Sequence, residues 1–102
     1  MKTIIYCASW ERGEEQFNKY VEAALKEGEE HFRIQKSRRG SRLTHLPTGD
    51  VWQVVYAYDG ARGHKWDFCE VDEEISLKTY REIILPSTIH PRSEIERRVT
   101  FF

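Results

Sequence analysis

The sequence predicts a single α/β domain with a small mixed sheet of about five to six strands, including a β-hairpin, and two main helices. Three observations predict this class: apolar segments at residues 3–9 and 66–71, helical periodicity over 11–27, and turn residues at 38–41. Because 102 residues with 39% apolar content provide for one hydrophobic core, we expect residues 1–102 to form one domain.

The first two elements are a buried strand and an amphipathic helix. Residues 3–9 are apolar and β-branched, which is typical of a strand covered on both faces. A helix is predicted from Glu11 to about Glu27, with Ser9 as its N-cap and Gly28 as its stop. Its apolar stripe consists of Phe17, Tyr20, Val21, Ala24 and Leu25.

The middle of the chain predicts a hairpin followed by two further strands. Residues 31–37 and 42–47 flank the turn sequence Arg38-Arg39-Gly40-Ser41, whose glycine can adopt positive φ. Apolar segments at 51–58 and 66–71 predict the next strands, the second one running directly into acidic residues.

The last third predicts a helix, a loop and a strand. The helix extends from about residue 74 to 85 and is ended by Pro86, because proline cannot continue it. A loop follows at 87–91, and the chain finishes in a strand at 99–102. This order of strands and helices favours a mixed α/β sheet.

Charge and composition exclude several classes of protein. The net charge of −1 argues against a general polycation and restricts nucleic-acid contact to a local patch. The sequence has no apolar stretch of the roughly twenty residues that a membrane span needs, so we expect no membrane partner and an intracellular location. Cys7 and Cys69 lie in apolar segments, which favours buried reduced thiols.

Asp72 and Glu73 directly follow the apolar segment at 66–71. P-loop ATPases use a hydrophobic strand that ends in Asp-Glu to hold magnesium with the first acid and to orient water with the second. Ligands of open α/β sheets gather at that edge. The alternative interpretation is a helix N-terminus whose acids complement the helix dipole.

Four segments, taken in order, resemble the ATPase domain of the large terminase subunit, the DNA-packaging motor of tailed bacteriophages. They are Tyr6-Cys7-Ala8-Ser9 before the first helix, the hairpin at 39–47 with its Gly-Ser-Arg turn, Arg62-Gly63, and the strand that ends in Asp72-Glu73. The resemblance covers residues 2–74 and implies a RecA-like core of the P-loop NTPase type.

In that family the two acids are the Walker B pair, so the resemblance implies catalytic roles for Asp72 and Glu73. It also implies that segments 2–9, 66–71 and 99–102 form one contiguous sheet, with 66–71 in the middle. A phage protein in the cytoplasm of an infected or prophage-carrying bacterium is the corresponding expectation for location.

The sequence departs from this family in one respect that bears on activity. It contains no Gly-x-x-x-x-Gly-Lys followed by Ser or Thr, the loop that holds the nucleotide phosphates. We therefore expect a truncated core without a cofactor that does not hydrolyse ATP alone and acts by binding a protein partner, a second copy of itself, or DNA.

Two alternatives stay open. The chain is the Walker B half of a split packaging ATPase, in which Asp72 binds the magnesium of Mg-ATP once a partner supplies the P-loop. Or it is an unrelated α/β interaction module, such as an inhibitor of a host enzyme.

The strongest local positive charge lies at the predicted hairpin, next to Arg33 in the sequence. We expect its cations to contact DNA or another phosphate, although a solvated turn is the simpler interpretation. Arg62 is a further phosphate-binding candidate, either as an arginine finger acting in trans or as an ordinary loop cation. The hairpin candidates are Lys36, Arg38, Arg39 and Arg42.

The aromatic side chains are expected mostly in the core or on the faces of the sheet. Trp52, Tyr56 and Tyr58 share a period of two, which also permits an exposed aromatic face for a partner. Trp10 belongs to the expected core or sheet-face group.

Overall fold

The protein forms an α/β fold around one six-stranded mixed sheet, as the sequence predicts. The computed structural model describes residues 1–57 and 63–102. In chain order the strands are β1 (Lys2–Cys7), β2 (Phe32–Gln35), β3 (Arg42–His45), β4 (Val51–Tyr56), β5 (Phe68–Val71) and β6 (Val99–Phe101). Their order across the sheet is β2-β3-β4-β1-β5-β6, in which β4, β1, β5 and β6 are parallel and β2 and β3 are antiparallel to their neighbours.

Strand β1 lies in the interior of the sheet because both of its faces are apolar. Ile4 and Tyr6 point to one face and Ile5 and Cys7 to the other, and all four are 0% exposed. Helix α1 (Trp10–Glu27) covers the Ile5 face, and the helical segment at 77–87 covers the Ile4 face. The sheet is therefore the middle of three layers.

Helix α1 begins one residue before the predicted start and ends at Glu27, as the sequence predicts. The side chain of Ser9 caps its N-terminus by accepting a hydrogen bond from the Arg12 N–H, and Gly28 ends it at φ 131°. Gly13 faces β1, and a Cβ atom there would lie 2.6 Å from the Cys7 Sγ atom. The missing side chain thus lets the helix lie close against the sheet.

The hairpin strands are shorter than predicted, and their turn depends on a glycine. Gly40 has φ 137°, and a Cβ atom at this position would lie 2.3 Å from the Val54 carbonyl oxygen. Strand β4 ends at Tyr56, while Tyr58 lies outside the described residues.

The prediction that a strand begins at residue 66 is wrong, because β5 begins at Phe68. Trp66 makes only an isolated bridge to Thr88, and it is 1% exposed. Its indole Nε1 donates a hydrogen bond to the Ile84 carbonyl, so the side chain fastens the second helical layer instead of continuing the strand.

The second helical layer also differs from the prediction of one helix over 74–85. Helix α2 (Leu77–Thr79) begins after the N-cap Ser76, then continues as a π-helix (Tyr80–Ile84) and a 3-10 helix (Leu85–Ser87). The start is delayed because the Asp72 side chain accepts the Glu74 N–H and holds a turn. Pro86 does not end the segment: it occupies the first turn of the 3-10 helix, where no N–H is required.

A helical turn that the sequence interpretation missed precedes β6. A 3-10 helix (Arg92–Glu94) follows Pro91 and leads into α3 (Ile95–Arg98). Its residues are too few to show a helical period, which explains the omission. Among the helices of the described residues, none combines the length and apolar character that crossing a bilayer requires.

Candidate functional site

The parallel strands bring their carboxyl ends to one edge of the sheet. Strand β1 leads there into α1 on one face, and the neighbouring β5 leads into the helical segment on the other. In open α/β sheets such a reversal of direction creates a crevice where ligands commonly bind.

Asp72 occupies the crevice between β1 and β5, and it is 0% exposed. Its Oδ2 atom accepts the Ala8 N–H at 2.9 Å, and its Oδ1 atom accepts from Arg12 Nε at 2.8 Å and from the Glu74 N–H at 2.9 Å. Both carboxylate oxygens are therefore engaged in tying β1, β5 and α1 together. In this arrangement Asp72 does not fit the role of a magnesium ligand.

Glu73 has a different environment from its neighbour. Its side chain is exposed, and its backbone N–H donates to the Phe102 carbonyl at 2.7 Å. Over residues 1–57 and 63–102, no three His, Cys, Asp or Glu side chains gather in a way that could hold a metal ion. The two predicted Walker B residues are thus a buried anchor and a solvated acid.

Strand β5 lies between β1 and β6, which confirms the predicted neighbours of the strand that ends in Asp72. Strand β6 is the last strand at its end of the sheet, so within the described residues its outer edge carries no partner strand. An unpaired strand edge can receive another strand.

The hairpin presents a cluster of exposed cations. The side chains of these cations are all solvent-exposed, and across the part of the chain that the structure describes none of them forms an ion pair. The cluster consists of Arg33, Lys36, Arg38, Arg39 and Arg42, and we call it the hairpin cation cluster. Arg62, the remaining phosphate-binding candidate, lies outside the described residues.

Side-chain hydrogen bonds attach the hairpin to α1. Ser41 is 0% exposed, and its hydroxyl donates to the Glu14 carboxylate at 2.6 Å. Lys36 Nζ donates to the Asn18 side chain at 3.2 Å. The cations are therefore presented from a turn that is attached to a long helix.

Beside this cluster lies a cavity of about 480 Å³ lined by Trp10, Arg38 and Tyr56. It joins the first residue of α1, the end of β4 and the hairpin turn. Trp10 is 48% exposed, so its assignment to the core or a sheet face is wrong. The N-cap Ser9 was the signal that could have placed Trp10 at the end of the helix, but no local pattern indicates that Trp10 and Arg38 line the same cavity.

A second polar group, which the sequence did not indicate, lies beneath α1. Glu70 on β5 accepts hydrogen bonds from Gln16 Nε2 at 2.6 Å and from the Tyr20 hydroxyl. Burial raises the pKa of Glu70, an effect that the Gln16 hydrogen bond and nearby Lys19 partly offset. A cavity of about 260 Å³ adjoins this carboxylate, between Tyr20 and Phe68.

Comparisons of this chain with protein-family models, with curated proteins and with solved structures gave no match. The function is therefore argued from the residues and their geometry.

Proposed function

We propose that this protein is a phage-type relative of a packaging-ATPase core that binds nucleic acid through its hairpin and does not hydrolyse ATP alone. The observation that carries the proposal is the hairpin cation cluster, exposed and without ion pairs among the described residues. Guanidinium groups match phosphate geometry, and phosphate contacts dominate the affinity of nucleic-acid binding.

The distribution of charge supports a local contact. The chain as a whole carries a net charge of −1, whereas residues 33–42 contain five cations and no acid. Ion pairs with acids weaken the attraction of lysine and arginine side chains for phosphate, and among the described residues none of these cations forms one. A nucleic-acid backbone that follows the turn would therefore meet several cations at once.

The position of β5 supports the relation to a packaging ATPase. It lies between β1 and β6, and Asp72 and Glu73 follow it directly in the chain, as the resemblance implies. The engaged oxygens of Asp72 support a binding role over a catalytic one, because a carboxylate that already accepts three hydrogen bonds has little capacity left for a metal ion.

A charge-matched comparison tests the nucleic-acid contact. We expect replacement of Arg38, Arg39 and Arg42 with Ala to weaken binding of a fluorescent oligonucleotide at least about tenfold. The slope of the logarithm of the binding constant against the logarithm of salt concentration should fall by the equivalent of up to about three phosphate contacts. The matched control replaces the exposed Arg81, Arg92 and Arg97 with Ala, which removes the same charge elsewhere. Equal losses in the two triple variants, measured by fluorescence anisotropy, would overturn the proposed contact.

The second candidate function is that of a Walker B half completed by a partner's P-loop. The exposed Glu73 and the outer edge of β6 favour it, and the environment of Asp72 opposes it. We expect calorimetric titration of the isolated chain with Mg-ATP to give no binding heat. Mg-ATP hydrolysis that appears only after a chain carrying a P-loop is added, and that is lost in the variant Glu73→Gln, would instead favour this second function.

A further inference from the structure

We infer that the cavity lined by Trp10, Arg38 and Tyr56 receives an unpaired base, which makes the protein a binder of single-stranded nucleic acid. The inference rests on the proposed function and names the form of nucleic acid that the hairpin selects. The cavity lies at the carboxyl edge of β4, beside the N-terminus of α1, where open α/β sheets commonly bind ligands.

The size and lining of the cavity suit a flat aromatic ligand. Its volume of about 480 Å³ is within the range of small-molecule sites, roughly 300–1,000 Å³. Among the lining residues that the structure describes, Trp10 and Tyr56 are aromatic, and Trp10 is 48% exposed. Aromatic side chains bind bases of any sequence by stacking, because every base has a π-face.

Arg38 connects the cavity to the hairpin cation cluster. It belongs to that cluster and also lines the cavity, so one strand can place its phosphates along residues 36–42 and turn a base inward. This charge complementarity favours a nucleic-acid occupant over an apolar protein segment. Bases in a duplex are already stacked and paired, and only a single strand offers one without the cost of unpairing.

The other two tryptophans, Trp52 and Trp66, are less accessible than Trp10 for stacking on a base. Trp66 is 1% exposed and donates its indole N–H to Ile84, and Trp52 is half-buried beside Tyr20. A change of tryptophan fluorescence on binding therefore reports mainly on Trp10, and a Trp52→Phe background removes the main interference.

The test compares a thymidine oligonucleotide with a duplex of equal length. We expect Trp10→Ala to weaken single-strand binding about tenfold while duplex binding stays unchanged, and we expect Trp10→Phe to restore most of the affinity. Phe101→Ala is the control, because it removes another exposed aromatic ring, at the far end of the sheet. Thermal melting followed by circular dichroism checks that each variant is folded.

The outcomes separate this inference from the proposed function. If Trp10→Ala leaves single-strand binding intact, or weakens both ligands equally, the base pocket is wrong while the hairpin contact stands. If the hairpin triple variant binds as well as the control, the contact itself is wrong. Should Trp10→Ala not fold, fluorescence of the Trp52→Phe protein decides: quenching by the thymidine oligonucleotide supports the pocket, and an unchanged signal overturns it.

Discussion

Asp72 shows how a residue with a catalytic sequence signature serves as a structural anchor. Its carboxylate connects the backbone of Ala8, the guanidinium of Arg12 and the turn at Glu74. Two of these partners lie 64 and 60 residues away in the chain. The sequence predicted that Asp72 follows a buried strand, but it could not predict these partners, because they depend on which strands are neighbours.

The two adjacent acids provide a prediction at this scale. The substitution Asp72→Asn keeps the side-chain volume but removes the negative charge that faces Arg12. It also replaces one carboxylate oxygen, which accepts hydrogen bonds, with an NH₂ group that cannot accept them from the surrounding N–H groups. We expect the free energy of unfolding to fall by about 1–3 kcal/mol, the cost of buried unsatisfied groups. In the control Glu73→Gln we expect a change within about 0.5 kcal/mol, because Glu73 is exposed. Urea denaturation measures both, and similar losses in the two variants would contradict the anchoring role.

At the scale of the elements, the contact between α1 and β1 depends on Gly13. Glycine is a poor helix former, so its presence inside α1 needs a reason from packing. The absent Cβ atom would lie 2.6 Å from Cys7 Sγ and 2.9 Å from Val54 Cγ1. Gly13 therefore lowers the intrinsic helix propensity of α1 but allows the helix to lie closer to the sheet.

Gly13→Ala tests that contact. The added methyl gains about 1 kcal/mol of helix propensity, but crowding in a closely packed core costs about 1–3 kcal/mol. We expect a net loss of up to about 2 kcal/mol in the free energy of unfolding. Combining it with Cys7→Ala should recover part of the loss, since the methyl then occupies the space of the sulfur. A more stable single variant, or strictly additive effects, would show that crowding is not the cause.

The elements also show where local patterns are insufficient. Helix α1 has a regular apolar stripe and two caps, so its bounds were predicted closely. The segment at 77–87 changes from α to π to 3-10 geometry, and it brings both Ile83 and Ile84 against the sheet. Two adjacent apolar residues also fit an ordinary α-helical stripe, so the sequence pattern did not indicate the π-helix, whose geometry depends on the surface that the segment covers.

At the scale of the whole molecule, carboxylates of opposite behaviour determine how stability depends on pH. Burial raises the pKa of Glu70 above its ordinary 4.5, whereas hydrogen bonds from the Lys2 N–H and His90 lower the pKa of Asp67 below 3.8. Glu70 binds its proton more readily in the folded state than in the unfolded state. The free energy of unfolding therefore rises as the pH falls from 7 towards 4.5 and Glu70 becomes protonated. Asp67 contributes stability above 3.8 that is lost at lower pH.

A pH series of denaturation curves tests this linkage. From pH 7 to about pH 4.5 we expect the wild type to gain stability relative to Glu70→Gln, because protonation relieves the cost of a buried charge. The variant cannot take up that proton, so the difference between the two proteins should shrink or reverse as the pH falls. The comparison lies above the range in which Asp67 loses its contribution. A constant difference between pH 7 and 4.5 would show that the Glu70 pKa is not raised.

The sequence by itself determined the α/β class, the order of the strands and of the two main helices, the caps of α1 and the hairpin that carries the cations. These features follow from local periodicity and turn chemistry, which act over a few residues. Only the tertiary structure decided that β1 lies between β4 and β5, that Asp72 is held by Arg12, and that Trp10, Tyr56 and Arg38 line one cavity. Such contacts depend on the order of strands across the sheet, which brings together residues that no local pattern relates.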